Sequence, residues 1–386
     1  MLKGEFFAMA NHIANLIVEF EKYNTRCIVI YKNKKYFFTI NNIFGIAKDN
    51  DLTIPNEYSD NSSVVSINTS FNGNTIIGNY INGKLQDDKV FDTWGSLQFS
   101  DSEKKYKQDV IVLVIRIIIY RALLELKNHN DIINIYEKVD WNMIILMPRD
   151  EIHDGRLVLN DILKNLTTIN MYHPKLILDT KIESIEYIPE GLCAYIACAY
   201  DNRSNIDVKN SSTLVLDAGM SGVTISLIEN NKLNKEIYFK TNKSLNDTVE
   251  SVVNELMLRG VNLKKGDILN KVFYNKSTIN DFSVETEFNK SIKDVANSIY
   301  REVISYLSNN NIELSGIDNI LITGKGAMCG CSNLHSLRHE LYSLFDGRIN
   351  LIELPNNSIV ENGIERNVDF SDLNLIGASI LSDVII

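Results

Sequence analysis

The chain has 386 residues, more than a single hydrophobic core usually organises, so we expect two domains. Hydrophobic residues make up 45% of it and charged residues 23%, which are the proportions of an ordinary globular protein. The formal net charge of −10 argues against broad direct contact with nucleic acid or with an anionic membrane. A role on DNA would therefore run through a partner protein or through a local patch of the surface.

The cysteines and the most apolar segment indicate the cellular compartment in which the protein lies. Five cysteines, an odd number without the spacing of a disulfide framework, predict reduced thiols and a cytoplasmic protein. The segment VIVLVIRIIIYRALLEL, 110–126, is interrupted by Arg116, Arg121 and Glu125. Its unbroken apolar runs fall far short of the roughly 20 residues that span a bilayer. We therefore predict a helix buried inside a domain and no membrane partner.

The first half alternates between β patterns and helical patterns. The elements predicted there, in chain order, are strands at 16–20, 26–31 and 35–40, a polar surface excursion at 41–62, a strand pair (VVSINTS and NTIIGNY) that turns at Asn72 and Gly73, a helix at 104–127, the strand MIILM before Pro148, a helix near 154–166 and a strand near 175–178.

The second half repeats this order. Strands at 213–217, 223–228 and 236–240 form a meander, and Ser244 then opens a helix with Asp247 as its capping-box acid. A longer helix at 287–308 carries an apolar stripe, and the buried strand ILIT follows at 320–323. Two α/β halves, each opening on a meander and closing with helices, are the predicted architecture.

Two turns of small residues follow buried strands. In LVLDAGMSGVTISL, 214–227, the strand ends at Asp217 and the turn contains Gly219, Ser221 and Gly222. Such glycines let backbone N–H groups approach a phosphate, and Asp217 could hold Mg²⁺ through water. In ILITGKGA, 320–327, a turn with Gly324 and Gly326 leaves room for a flat ring or a ribose. Each turn taken alone is equally typical of an ordinary tight turn.

The two turns, in this order and at this separation, resemble the phosphate and adenosine motifs of the actin-like ATPase superfamily. The segment YIPEGLCAYIACAY, 187–200, resembles the connection between the two halves of that fold. Within the superfamily the chain is most similar to the ParM-type plasmid-segregation actins. The segments that carry this likeness are FDTWGSLQFSDSEKKYKQDVIVLVIRIIIYRALL, SLNDTVESVVNEL and ELPNNSIVENGIERNVDFSDLNLIGASIL, and the whole resemblance covers residues 64–386.

The resemblance implies an actin-like α/β fold with two RNase-H-like domains on either side of a nucleotide cleft. The first domain would comprise 1–186 and 370–386, and the second 187–369. The ligand would be ATP, with GTP an alternative, together with Mg²⁺. The residues carried over from the family motifs are Asp217 for the metal; Gly219, Ser221 and Gly222 for phosphate; Gly324, Lys325, Gly326 and Ala327 for the adenosine; and Glu190 for catalysis.

Two residues within these motifs differ from the family pattern, and a third has a second interpretation. Met220 stands where a small or polar residue is usual, and Lys325 where a glycine is usual. Glu190 matches the residue that orients the attacking water, but an acid after Pro189 is also favoured by the helix dipole alone.

The first phosphate motif of the superfamily, Asp-x-Gly followed by Lys, has no counterpart before Asp217. The alignment we adopt places Asn11 at the acid, Ile13 at the glycine and Val18 at the lysine. An amide lacks the charge that attracts Mg²⁺, so we expect slow hydrolysis.

A zinc site is a weaker alternative near the adenosine turn. Cys329, Cys331, His335 and His339 could supply four ligands, but a helix that starts at this turn explains the two histidines equally well.

Three functional classes follow from the resemblance. The first is a filament of this chain that segregates or positions plasmid or phage DNA through a DNA-binding adaptor. The second is a scaffold or clamp that binds nucleotide without efficient hydrolysis. The third, a small-molecule kinase, is disfavoured because the sequence contains no recognisable sugar-binding segment.

Overall fold

The computed structural model describes most of the chain and divides it by contacts into two compact units. One unit comprises 1–187, 360–365 and 386, and the other comprises 188–359 and 366–385. The residues described are 12–21, 24–47, 62–71, 74–83, 93–97, 99–100, 103–173, 175–200, 208–261, 278–279, 282–330, 335–345, 347–354, 358–361 and 364–385.

The main sheet of the first unit is built around a central parallel strand pair. Its strands are β1 His12–Phe20, β2 Asn24–Tyr31, β3 Lys34–Asn41, β8 Val139–Met147, β11 Lys181–Pro189, β19 Ser358–Glu361 and β20 Ile364–Asn367. Strand β1 runs antiparallel to β2 and parallel to β8. The strand order is β11-β8-β1-β2-β3-β19-β20.

A second sheet in this unit contains the predicted strand pair that turns at 72–73. Phe71 pairs with Asn74 across that turn, which confirms the hairpin. The strand order is β10-β9-β5-β6-β4-β7. The bounds are β4 Phe44–Ala47, β5 Ser62–Phe71, β6 Asn74–Gly83, β7 Thr93–Leu97, β9 Thr168–His173 and β10 Leu176–Asp179. β4 lies inside the segment predicted to be irregular, of which 48–61 are outside the described residues.

The apolar segment of the first half is a helix buried in the core, as predicted. Helix α1, Val110–Asn128, has nearly all its apolar side chains buried, and α2 is Ile152–Lys164. In the part of the chain that the structure describes, no helix is both long and apolar enough to cross a bilayer. Burial lowers the pKa of Arg116, on α1, to about 10.

The second unit repeats the arrangement of the first. Its strands are β12 Ser212–Gly219, β13 Gly222–Glu229, β14 Lys232–Lys240, β15 Thr278–Ile279, β16 Phe282–Ser283, β17 Asn319–Thr323 and β18 Asn350–Leu351. Strand β12 runs antiparallel to β13 and parallel to β17. The strand order is β14-β13-β12-β17-β18, with a separate β15-β16 pair. The helices are α3 Glu190–Ala199, α4 Leu245–Leu258, α5 Glu285–Asn309, α6 Leu337–Leu344 and α7 Leu373–Ile385.

Both units therefore contain one five-strand pattern. Reading from the third strand of the meander, β3-β2-β1-β8-β11 corresponds to β14-β13-β12-β17-β18. In each, an antiparallel meander is extended by strands on the other side of its first strand. This is the order of an RNase-H-like sheet, and it confirms the predicted α/β fold class.

The grouping of residues by contacts differs from the predicted domain division at the C-terminal helix, and the division itself stays a prediction. We predicted 370–386 in the first domain, but the contacts of 366–385 place them in the second unit. The reason is the close packing of α7 on α3, where Gly377 meets the Cys193 backbone. A Cβ at Gly377 would lie 1.7 Å from the Cys193 carbonyl oxygen, so only glycine fits.

The packing of α7 on α3 can be tested at Gly377. Replacing Gly377 with Ala should lower the free energy of unfolding by about 3 kcal/mol, because the new methyl meets backbone that cannot move aside. Urea unfolding measures this value. The matched control is Gly155→Ala in α2, where the obstacle is the flexible Met147 side chain. We expect it to stay within about 1 kcal/mol of the parent. Equal effects would contradict the close α3–α7 packing.

Candidate functional site in the second unit

Asp217 lies at the carboxyl end of β12, where it is buried, with 7% of its surface exposed. It pairs in register with Thr323 at the end of the parallel strand β17, so both strands finish at one edge of the sheet. The Asn374 side-chain amide donates a hydrogen bond to Asp217 Oδ2 at 3.0 Å. The carboxylate is thus held in place at the edge where α/β sheets bind ligands.

Asn374 was not predicted from the sequence, and the segment before α7 positions it. The Arg366 guanidinium donates to both carboxylate oxygens of the fully buried Asp372, at 2.7 and 2.8 Å. The Phe370 carbonyl accepts hydrogen bonds from the Thr323 hydroxyl at 2.8 Å and from the Gly324 N–H at 3.3 Å. These bonds fix the start of α7 beside the ends of β12 and β17.

The two predicted small-residue turns are in contact with each other. The Gly326 N–H donates to the Ala218 carbonyl at 2.8 Å. Gly324 has a φ of +85°, and a Cβ there would lie 2.3 Å from Asp217 Oδ1. The structure therefore brings Asp217, Gly219, Gly324 and Gly326 to one place, as the sequence motifs implied.

The hairpin after Asp217 is as tight as predicted. Gly219 pairs with Gly222, so the loop consists of Met220 and Ser221, and the Ser221 side chain is exposed. A Cβ at Gly222, whose φ is +154°, would lie 2.8 Å from Lys240 Cε. The Lys240 ammonium donates to Ser221 Oγ at 3.2 Å. Like Asn374, Lys240 was not indicated by the sequence motifs.

Glu190 begins α3 on the same face of the sheet as Asp217. A Cβ at Gly191 would lie 3.4 Å from Val215 Cγ1, and Val215 alternates with Asp217 on one face of β12. Glu190 itself is half-buried. The start of α3 thus lies over the strand that carries Asp217.

The chain after Gly326 differs from the prediction that a helix starts at this turn. Ala327 is fully buried, and Lys325 is half-buried. The described residues 324–329 form turns, and the Ala327 carbonyl accepts a hydrogen bond from the Arg338 N–H at 2.8 Å. Helix α6 begins at Leu337, where the Ser336 hydroxyl accepts from the His339 N–H at 3.2 Å. The turn is therefore closed by backbone pairing.

The zinc alternative gains no support from the described residues, among which no group of three or more His, Cys, Asp or Glu side chains could hold a metal. His335 lies 3.6 Å from the Glu340 carboxylate, and Cys331 is outside the described residues. The cysteines that the structure describes, Cys27, Cys193, Cys198 and Cys329, are buried thiols outside any disulfide. Burial raises the pKa of the Cys27 thiol well above its ordinary value, so this thiol stays protonated.

The alignment adopted for the first phosphate motif runs through the start of β1 and stays a prediction. Asn11 lies outside the described residues. Ile13 is exposed at the start of β1, and Val18 is buried within the strand. The turn that corresponds to 219–222 comes later, where the Glu21 N–H donates to the Asn24 carbonyl at 2.9 Å. Ile13 and Val18 are therefore not at the turn into β2.

The residue in the first unit that corresponds to Asp217 is Glu19. Glu19 lies two residues before Glu21, at which its hairpin closes, and Asp217 lies two residues before Gly219. Each acid also pairs across its hairpin with the residue seven positions later in the chain. For Glu19 that partner is Arg26, and Arg26 Nη1 lies 3.9 Å from Glu19 Oε2. Both are buried, with 6% of each exposed. A search for Asp-x-Gly could not find this pair, whereas an acid and a base seven residues apart across a turn could.

The second-unit geometry fits a phosphate group with a divalent cation. The bare backbone of Gly324 packs so closely on Asp217 that an added Cβ would lie 2.3 Å from Oδ1, which fixes the carboxylate at the end of the strand. Asp217 is only 7% exposed, so its carboxylate suits a metal ion that keeps its water shell better than a metal ion that must lose several waters to bind. The exposed Ser221 hydroxyl and the Lys240 ammonium are donors at the adjoining turn.

Solved structures similar to this chain are actin-like proteins, as the sequence motifs led us to expect. A 15-stranded ParM filament from Clostridium botulinum is 17% identical at a TM-score of 0.65, covering 97% of this chain and 100% of that one. Bacillus thuringiensis ParM with ATP is 11% identical at 0.62, covering 97% and 100%. The archaeal actin homologue Ta0583 is 12% identical at 0.67, covering 96% and 99%. No protein-family model and no curated protein sequence matches the chain.

The chain therefore has the actin-like fold over nearly its whole length, and the predicted resemblance to ParM-type proteins is confirmed at the level of the fold. At sequence identities of 11% to 17%, the similarity to these structures shows the fold alone. The roles of individual residues depend on the geometry given above.

The contact between the two turns can be tested at Gly324. Replacing Gly324 with Ala should cost about 3 kcal/mol of unfolding free energy or more, because a positive φ and a collision with Asp217 and Ala218 add together. The control is Gly260→Ala, where φ is +79° but no described residue lies within 4 Å of the added Cβ. It should lose only the backbone cost of about 1–2 kcal/mol. Equal losses in denaturant unfolding would show that the turns do not touch.

Proposed function

We propose that this protein binds ATP with Mg²⁺ and assembles with copies of itself into filaments. The observation that carries the proposal is the meeting of the two small-residue turns beside Asp217, at the edge where the parallel strands of an RNase-H-like sheet end. Tight turns of this kind need not meet in an unrelated fold. Here they meet beside a buried carboxylate.

The described residues of the second unit divide into three roles in this proposal. Asp217 holds Mg²⁺ through water, and the turn from Gly219 to Gly222 offers backbone N–H groups to phosphate. The bare backbone of Gly324 and Gly326 accommodates the nucleoside, with Lys325 and Ala327 beside it. Glu190 accepts a hydrogen bond from the water that attacks the terminal phosphate. When bound, Mg²⁺ neutralises charge on the phosphates.

In the first unit we assign the acid position to Glu19 in place of Asn11. The turn after Glu19, from Glu21 to Asn24, contains no glycine, and Arg26 already lies beside the carboxylate. Both features weaken this half as a metal site. Slow hydrolysis therefore remains our expectation, and it also favours the second candidate function, a scaffold or clamp that binds nucleotide and hydrolyses it inefficiently.

The cellular role we propose is the segregation or positioning of plasmid or phage DNA. ParM from Clostridium botulinum forms filaments, and so does AlfA from a Bacillus subtilis plasmid. The net charge of −10 makes direct DNA binding unfavourable, so a DNA-binding adaptor would connect filament and DNA in the cytoplasm.

Nucleotide-dependent assembly is the direct test of the proposed function. Light scattering and sedimentation should show polymer with ATP and Mg²⁺, and with a non-hydrolysable analogue, while phosphate release stays well below the roughly 1–10 per second of common enzymes. GTP is measured in parallel. A protein that stays monomeric with every nucleotide at tens of micromolar would remove the filament function. Rapid phosphate release would remove the scaffold.

Asp217→Asn tests the metal-binding role without changing the shape of the side chain. Loss of the negative charge should weaken Mg²⁺-ATP binding at least about tenfold and reduce assembly, while the fold is retained. Isothermal titration with and without Mg²⁺ gives the affinities. Glu229→Gln removes one charge at the other end of β13 and should bind like the parent. Parental binding by Asp217→Asn would mean that the hairpin has no metal role.

A further inference from the structure

Lys240 lies in one row with Asp217 across three strands. Asp217 pairs with Thr224, and Thr224 pairs with Lys240, each in register. Directly paired residues of neighbouring antiparallel strands project from the same face of the sheet. Because strands lie about 4.8 Å apart, the Lys240 backbone is roughly 10 Å from that of Asp217. The carboxylate and the lysine therefore share one face of the sheet, close to the same hairpin.

The hairpin is shaped to let the lysine side chain cross it. A Cβ at Gly222 would lie 2.8 Å from Lys240 Cε and 3.1 Å from its Cγ, so the absence of a side chain at Gly222 makes room for the aliphatic stem. The ammonium then reaches Ser221 Oγ at 3.2 Å.

The backbone at Lys240 is held firmly by its neighbour Thr241. The Val223 N–H donates to Thr241 Oγ1 at 2.9 Å, and the Thr241 N–H donates to the Val223 carbonyl at 3.0 Å. Thr241 is 3% exposed. The lysine is thus presented to the turn by a buried, hydrogen-bonded strand end and not by a loose loop.

The Lys240 ammonium reaches a neutral hydroxyl acceptor at the turn, Ser221 Oγ. A phosphate oxygen is a stronger acceptor for an ammonium than a hydroxyl is, so a phosphate at the turn would attract Lys240.

We propose that Lys240 binds the phosphates of the nucleotide at the turn from Gly219 to Gly222, with the Ser221 hydroxyl beside it. The proposal rests on the proposed nucleotide-binding function and adds a cation that the sequence motifs do not contain. Asp217, through the metal, and Lys240 then contact the phosphate chain from two positions on one sheet face. A lysine acts here as a point charge, so binding should depend on phosphate charge and fall with added salt.

The test is Mg²⁺-ATP binding by K240M, which keeps most of the stem over Gly222 and removes the charge. We expect about 10- to 100-fold weaker binding, the range for a hydrogen bond to a charged group. K232M is the control, because Lys232 is exposed at the other end of β14. It should bind within about twofold of the parent, and the ligand-free unfolding temperatures of all three proteins should agree.

The outcomes separate this inference from the function on which it rests. If the parent protein binds no nucleotide, the proposed function fails and this inference fails with it. If the parent binds ATP and K240M binds it equally well, only the role of Lys240 is overturned. Loss of the fold in both K240M and K240Q would assign Lys240 to holding the hairpin together and would also overturn the proposal.

Discussion

The site around Asp217 depends on the packing of one backbone turn on another. The parallel pair of Asp217 and Thr323 ends two strands at one edge, and the chain then turns at Gly324 so that Gly326 can donate to the Ala218 carbonyl at 2.8 Å. Only a residue without a side chain can pass beside the Asp217 carboxylate at this distance. Both glycines therefore serve the packing of the fold as well as any ligand, and the shape of the site follows from that packing.

Local patterns were enough to predict the elements that carry this contact. Apolar runs that end in an acid or in small residues identified Asp217, Gly219, Gly324 and Gly326, and the alternating strands predicted an α/β fold of two halves. Asn374 could not be found in this way, because it meets Asp217 across 157 residues and an asparagine at the start of a helix has many other uses. Its role is set by where α7 packs, which is a tertiary property.

The position of α7 shows the same limit. Its sequence, LNLIGASILSDVI, is apolar on most of its surface, so periodicity does not select the partner on which it packs. The contact of Gly377 with the Cys193 backbone does select it, and that contact brings Asn374 to Asp217. Glu19 was missed for another reason: the first motif was sought as Asp-x-Gly, although the hairpin between β1 and β2 forms without a glycine.

The two corresponding hairpins differ in how their acid is compensated, and this difference bears on chemistry. Glu19 lies 3.9 Å from the Arg26 guanidinium, whereas Asp217 accepts a hydrogen bond from the neutral amide of Asn374. Two unit charges about 4 Å apart attract each other by roughly 1 kcal/mol in water and more when buried, and that attraction competes with any added cation. A neutral amide orients a carboxylate without cancelling its charge. Of the two acids, we therefore propose Asp217 as the one that attracts Mg²⁺, because Glu19 already has a guanidinium 3.9 Å away.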